Sequence, residues 1–206
     1  MKRIRSILLI AVFLCLLGSG RSAKAAGADI WRGQYAKILD NPSLVSDYLN
    51  VSYENTYFGG DFYFSGYFLC DVDNNGIPEL FLRSNHSLTA VLTCTNEGRI
   101  IGLSIDGYYK INKKKHVLVV KGHWHGAGGS GIYEYAIYKI AGKEIKDQAY
   151  IDKMSSYTVR VNGNYLRGSR SKYNKVYKKY VAGGRLFENY QFYSLKDKTG
   201  LSVIQE

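Results

Sequence analysis

One stretch of the chain combines residue types and a spacing that could bind a metal ion. It runs Cys-Asp-Val-Asp-Asn-Asn-Gly-Ile-Pro-Glu-Leu from Cys70 to Leu80. Alternate residues of a tight loop can direct their oxygen atoms to one point, and a hard cation such as Ca²⁺ takes about six to eight of them. The spacing therefore predicts a calcium site with ligands at loop positions 1, 3, 5, 7 (through the backbone carbonyl) and 9, which are Asp71, Asp73, Asn75, Ile77 and Glu79.

Two other positions and the flanking residues define the type of loop. Gly76 stands at position 6, where we expect a sharp turn in which a Cβ atom would clash. Position 12 is Leu82, where a helix-loop-helix EF-hand has a bidentate Glu. The alternating residues 62–70 and the short apolar run 79–82 predict a strand on each side of the loop. The alternative is a hairpin turn that uses Asn, Asp and Gly only for their turn chemistry and binds nothing.

With these residues the loop resembles that of a family of small, uncharacterised secreted or lipid-anchored proteins of Gram-positive bacteria, which carry one DxDxxGxPEL hairpin. It is also similar to the calcium hairpins of integrin-type (VCBS) propeller blades. The resemblance implies Ca²⁺ held by the same five residues, and it implies no activity. Since the motif occurs once in this chain and a propeller needs four or more blades, we expect the hairpin without the propeller.

The N-terminus has the pattern of a secretory signal peptide. Lys2, Arg3 and Arg5 precede an apolar run at 7–17, and Ala23-Lys24-Ala25 offers small residues for cleavage. The run is shorter than the roughly 20 residues of a membrane-spanning helix. We therefore expect a signal peptide at 1–25, no transmembrane segment after its cleavage, and a mature protein that is secreted or associated with the cell envelope.

Composition limits what the mature chain can be. Removal of 1–25 takes five of the 28 basic residues and none of the 17 acidic ones, so the formal charge falls from +11 to +6. About 180 residues remain, which is enough for a single domain, 26–206, with its own core. Cys70 and Cys94 would lie in a compartment that permits disulfides. Either a bridge between them or two buried free thiols fits the sequence.

The remaining periodicity predicts an α+β fold. N-terminal helices, the second of them beginning at Asn41-Pro42, pack on an antiparallel β-meander sheet, and an amphipathic basic helix follows near the C-terminus. That last helix has Ser171 as its candidate cap and Gly183-Gly184 as its stop. Besides the two that flank the loop, the predicted strands are 88–95, 99–105, 108–111, 117–125, 132–140 and 157–161.

Basic residues form two clusters, one at Lys110 and 113–115 and the other between Arg160 and Arg185. An exported protein meets anionic polymers, which such clusters attract. We therefore expect an anionic cell-wall polymer or a host glycan as the partner, no nucleic acid, and a monomer. The alternative is a solvated face that keeps the protein soluble.

A second function class rests on His123 and His125, which point to the same side of a strand. A zinc site needs a third protein ligand, and His116 falls on the opposite face of a regular strand. With the glycine-rich loop 126–131 these histidines define the alternative function, a metal- or His-dependent hydrolase acting on extracellular polymers. The favoured function is a calcium-stabilised binding or envelope-associated protein without catalytic activity, in which Ca²⁺ is structural and of moderate to low affinity.

Overall fold

The computed structural model describes residues 30–49, 64–84, 88–105, 108–125, 131–142, 144–153 and 156–206. For 88–89, 108–109, 123–125 and 131–133 it describes the backbone only. The predicted signal peptide at 1–25 lies outside the described residues. None of the helices in the described part of the chain has the length and apolar character needed to cross a bilayer.

The fold is α+β, and its strands form two antiparallel sheets. The first sheet has four strands in sequential order: β1 (Phe64–Cys70), β2 (Glu79–Ser84), β3 (Leu88–Cys94) and β4 (Ile100–Ser104). A tight turn connects β3 to β4, and in it the N–H of Gly98 donates to the carbonyl of Thr95 at 2.9 Å. Gly98 has φ +82°, a backbone conformation that glycine adopts at little cost.

The second sheet has seven strands in the order β10-β9-β8-β7-β6-β5-β11. Their bounds are β5 (Tyr108–Asn112), β6 (Val117–His125), β7 (Gly131–Ile140), β8 (Ile145–Lys153), β9 (Tyr157–Val161), β10 (Asn164–Leu166) and β11 (Arg185–Leu186). The sequence predicted one sheet, but the chain changes sheets between β4 and β5. Periodicity identifies strands and does not say which of them pair.

The sheets pack face to face. One buried cluster contains Phe68, Phe81 and Val91 of the first sheet together with Leu118 and Val120 of the second. Phe68 also stacks on Tyr190, with ring centroids 4.6 Å apart. Tyr190, in the segment after β11, therefore belongs to the same interface. One face of the first sheet therefore packs against the second sheet.

The other face of each sheet carries helical segments. A helix at 30–40, α1, shares a cluster with the first sheet through Trp31, Tyr35 and Ile38. Pro42–Leu44 then forms a 3₁₀ turn before α2 (Val45–Tyr48). Asn41 occupies the predicted cap position, but its Oδ1 accepts from the Ser43 hydroxyl at 2.6 Å and makes no bond to the backbone of the turn.

The basic helix lies on the outer face of the second sheet. It comprises α3 (Arg170–Val176) and a π-helical turn (Tyr177–Val181), and it ends before Gly183-Gly184 as predicted. Val176, Tyr180 and Val181 share a buried cluster with strands of this sheet. The predicted cap, Ser171, is wrong: the capping residue is Ser169, whose Oγ accepts from the N–H of Lys172 at 3.3 Å. Ser169 precedes that N–H by three residues, the separation at which a cap side chain reaches the first turn.

Candidate metal centre

The loop between β1 and β2 makes the sharp turn that the sequence predicts. Asn74 and Gly76 both have positive φ, +57° and +88°. A Cβ atom at Gly76 would meet nothing within 4 Å, so the expected steric clash is wrong. The backbone conformation is what favours glycine at this position, since residues with a side chain rarely adopt φ near +88°.

Three carboxylates converge at this loop. Asp71, Asp73 and Glu79 each offer a ligand oxygen, and these atoms lie within 4.8 Å of one another. Asp71 and Asp73 are half-buried, whereas Glu79 has 0% of its surface exposed. The convergence arises because Asp71 follows β1 directly, Glu79 begins β2, and Cys70 is paired with Glu79 in the ladder. Such a group of oxygens could hold a metal ion.

The two aspartates also stabilise the turn. Asp71 accepts the N–H of Asn75 at 3.1 Å with Oδ1 and the N–H of Gly76 at 3.0 Å with Oδ2. Asp73 accepts the N–H of Gly142 at 2.5 Å with Oδ2. Gly142 lies between β7 and β8, so this bond connects the loop of the first sheet to the second sheet. Sequence reasoning had no signal for a contact between residues so far apart in the chain.

Glu79 is a buried carboxylate with two polar partners. Its Oε2 accepts the N–H of Val72 at 2.8 Å, and its Oε1 accepts the hydroxyl of Thr93 at 3.3 Å. Burial, followed by the negative charges of Asp73 and Asp71, raises the pKa of Glu79 well above its usual value, although the Val72 N–H acts in the opposite direction. Burial disfavours the charged carboxylate because a nonpolar environment solvates it poorly.

No basic side chain among the described residues forms an ion pair with any of these three carboxylates. Lys143, beside Gly142, lies outside the described residues. A buried charge with negative neighbours is costly unless it is protonated or a cation compensates it. A cation at this cluster would therefore lower the free energy of the folded state with all three groups ionised.

The other two predicted ligands have different surroundings. Asn75 accepts the N–H of Ile77 with Oδ1 at 2.6 Å, which is the Asx turn expected from the alternative interpretation. Its amide nitrogen donates to Asp73 Oδ2 at 3.1 Å. No contact among the described residues assigns a role to the Ile77 carbonyl, so its ligation stays a prediction. Leu82 at position 12 is a core residue of β2, 1% exposed, and offers no ligand.

A histidine that the sequence did not single out for this site contacts the loop. His116 Nδ1 lies 3.1 Å from the carbonyl oxygen of Val72, the residue whose N–H donates to Glu79. Since a carbonyl only accepts, His116 donates through Nδ1. His116 lies between β5 and β6 of the second sheet and has φ +54°. Its hydrogen bond to Val72 therefore connects the loop backbone to the second sheet.

The histidines of the alternative function lie in β6, where His123 is paired with Tyr133 and His125 with Gly131. Their side chains lie outside the described part of the structure, as do His86 and residues 126–130 of the glycine-rich loop. The hydrolase hypothesis therefore stays a prediction.

Cys70 and Cys94 are free thiols. Cys70 belongs to the cluster between the sheets and Cys94 to the cluster beside α1, so they occupy opposite faces of the first sheet. Burial raises the pKa of Cys70 to about 12 and that of Cys94 to about 11. Of the two alternatives left open by the sequence, the structure has the buried free thiols.

The geometry supports cation binding at the end of β1 and offers oxygen ligands, the type that Ca²⁺ and Mg²⁺ prefer. The cluster combines half-buried carboxylates at the surface with one carboxylate fully inside. Comparisons of the chain with protein-family models, with curated proteins and with solved structures found no match.

Proposed function

We propose that this chain is a secreted, calcium-stabilised binding protein of the cell envelope, without catalytic activity. The observation that carries the proposal is the position of Glu79, a carboxylate with 0% exposure whose oxygen lies within 4.8 Å of ligand oxygens from Asp71 and Asp73. A bound divalent cation offsets the cost of holding those charges together. The proposal retains the predicted secretion, since extracellular calcium is abundant enough to fill a weak site.

Calcium is the cation we assign, with Asp71, Asp73, Asn75, the Ile77 carbonyl and Glu79 as ligands. Because Leu82 replaces a bidentate Glu at position 12, the dissociation constant should be that of extracellular modules, on the order of 0.1 to 1 mM. The role of the ion is structural. It stabilises the loop that joins β1 to β2 and, through the bond from Gly142 to Asp73, the contact of that loop with the second sheet.

The binding surface in this proposal is the exposed side of the basic helix. Five cationic residues there are exposed: Arg170, Lys172, Lys175, Lys178 and Lys179. Arg170, Lys175 and Lys178 line an open depression together with Ser171 and Asn174. A row of cations attracts a polyanion in a salt-dependent way. The partner we propose is an anionic wall polymer or a host glycan.

Thermal unfolding of the mature protein in calcium and in chelator tests the metal. At ten times the dissociation constant, an ion that binds only the folded state adds about 1.4 kcal/mol. For a chain of this size the melting temperature should then rise by about 3 to 6 °C. Magnesium at the same concentration is the control and should give a smaller rise. Identical melting in calcium and in chelator would contradict the proposal.

Cosedimentation with purified cell wall tests the surface separately. Replacing Lys175, Lys178 and Lys179 with Gln should weaken binding at low salt. The matched control replaces Lys113, Lys114 and Lys115 with Gln, which removes the same charge from the turn between β5 and β6. Equal losses in both triple variants would show that net charge alone acts and that the helix is not the binding surface.

A further inference from the structure

A cavity of about 300 Å³ lies on the outer face of the second sheet, beside the π-helical turn. Val119 and Tyr135 form its floor, Tyr177 and Val181 contribute the helix side, and Leu186 of β11 lies at its rim. The volume is at the lower end of the range in which proteins bind small molecules. The cavity shares no lining residue with the carboxylates of the metal centre, which lie at the loop between β1 and β2.

Strand register explains how the floor is formed. Lys110 is paired with Val119 on one side and with Leu186 on the other, and Lys121 is paired with Tyr135. Directly paired residues of antiparallel strands project from the same face of a sheet. Each of the two lysines therefore has an apolar residue or a tyrosine beside it on this face of the sheet. The helix covers only part of the face.

The π-helical turn shapes the adjoining wall. The N–H of Ala182 donates to the carbonyl of Tyr177 at 3.1 Å, a bond that spans five residues where an α-helix spans four. Tyr177 contacts the ring of Tyr135 edge to face, with centroids 5.5 Å apart. A π turn is a rare and less favourable backbone conformation that occurs frequently at functional sites. Here the π-helical turn places Tyr177 and Val181 at the cavity wall.

The charges of the lining define what could bind. Lys110 and Lys121 contribute two ammonium groups, and Glu188 contributes one carboxylate, so the lining carries a net positive charge. Lys110 is half-buried and forms no ion pair within the described residues. The rest of the lining is aliphatic or aromatic. This combination is complementary to a molecule with one anionic group on an apolar or aromatic body.

We propose that the cavity binds a small organic monoanion, a carboxylate or sulfonate attached to a ring-sized apolar body. The ammonium group of Lys110 contacts the anionic group, and the tyrosine pair with Val119 and Val181 contacts the body. The site is independent of calcium and of the basic helix surface, whose exposed lysines face solvent.

Fluorescence titration of the folded, full-length mature protein tests the site with two probes. The first is 8-anilinonaphthalene-1-sulfonate, and the second is N-phenyl-1-naphthylamine, which has the same aromatic body without the anionic group. We expect saturable binding of the sulfonate at one site. Lys110→Met, which keeps an apolar stem, should weaken sulfonate binding about tenfold and leave the neutral probe unchanged.

Two further variants make the test decisive. Lys37→Met removes an exposed lysine of α1, outside both this cavity and the basic helix, and should leave both probes unaffected. Leu186→Trp, at an exposed position of the rim, should block both probes by filling the entrance. Near-UV circular dichroism of each variant establishes that it is folded. The proposal is wrong if the folded wild type shows no saturable sulfonate binding, if Lys37→Met acts like Lys110→Met, or if Leu186→Trp binds both probes normally.

Discussion

Glu79 is a predicted metal ligand whose burial and charged neighbours control its protonation. A glutamate at the start of a strand would normally point to water, yet this one has 0% exposure and two carboxylate neighbours within 4.8 Å. Its protonation state is therefore coupled to whatever cation is present. Proton and metal are alternative ways to compensate the same buried charge, and this competition can be measured.

The first prediction concerns pH. Because the pKa of Glu79 is raised in the folded state, the folded protein binds the proton more tightly than the unfolded chain does. In chelator, the contribution of Glu79 to stability should therefore be fully present below its ordinary pKa of 4.5 and be lost as pH rises above it. Calcium should reverse this decline, since it favours the ionised form. Urea unfolding between pH 4 and pH 7 measures both effects.

Glu79→Gln is the matching variant, since glutamine is neutral and nearly isosteric. In chelator its stability should lack the decline that Glu79 causes in the wild type. Calcium should add less to its stability at pH 7 than to that of the wild type. Parallel curves for the two proteins in chelator would show that Glu79 does not titrate as its burial requires.

The second prediction concerns the ligands at the loop surface. Asp71→Asn and Asp73→Asn should each abolish most of the calcium-dependent gain of about 1.4 kcal/mol expected at ten times the dissociation constant. Thermal melts in calcium and in chelator measure the gain. The control is Asp47→Asn, which removes one exposed carboxylate from α2. A full calcium response in either loop variant would remove that residue from the ligand set.

At the scale of the element, α3 allows a direct comparison of two serines. Ser169 caps the helix through its bond to the Lys172 N–H, and Ser171 lies exposed in the first turn. Ser169→Ala should therefore lower the free energy of unfolding by about 1 kcal/mol, whereas Ser171→Ala should change it by less than about 0.5 kcal/mol. Chemical denaturation measures both. A larger loss of stability in Ser171→Ala than in Ser169→Ala would show that Ser171 is the cap, as the sequence predicted.

The strands show how far periodicity determines an element. Alternation located β6 and β9 with the bounds that the structure has, 117–125 and 157–161. It missed β8, which reads Ile-Lys-Asp-Gln-Ala-Tyr-Ile-Asp-Lys and carries charged residues on its exposed positions. An irregularity in register between Ile137 and Tyr138 of β7 accompanies it. Strand formation at β8 thus depends on pairing with two neighbours more than on its own composition.

At the scale of the whole molecule, the two sheets share one buried interface. Phe68 and Phe81 stack with centroids 4.6 Å apart in the cluster to which the second sheet contributes Leu118 and Val120. Since each sheet needs the other to bury this face, we predict that the sheets unfold together. The predicted single domain, 26–206, requires this cooperativity.

Two tryptophans make the joint unfolding of the sheets measurable. Trp31 lies in α1 beside the first sheet, and Trp124 lies in β6 of the second. Trp124→Phe leaves Trp31 as the fluorescence reporter, and Trp31→Phe leaves Trp124. Each variant should show the same urea midpoint by fluorescence as by far-UV circular dichroism. Separate midpoints by the two methods in either variant would show that the sheets unfold independently.

The sequence by itself determined the loop with its alternating oxygens, the turn at Gly76, most of the strands and the amphipathic period of the basic helix. These properties depend on neighbours within a few residues, where side-chain spacing and backbone preference act directly. Only the tertiary structure decided that the strands form two sheets, that Cys70 and Cys94 lie on opposite faces, and that Gly142 donates to Asp73. These facts depend on which distant surfaces pack together to bury apolar area, and the local periodicity of the sequence does not determine that packing.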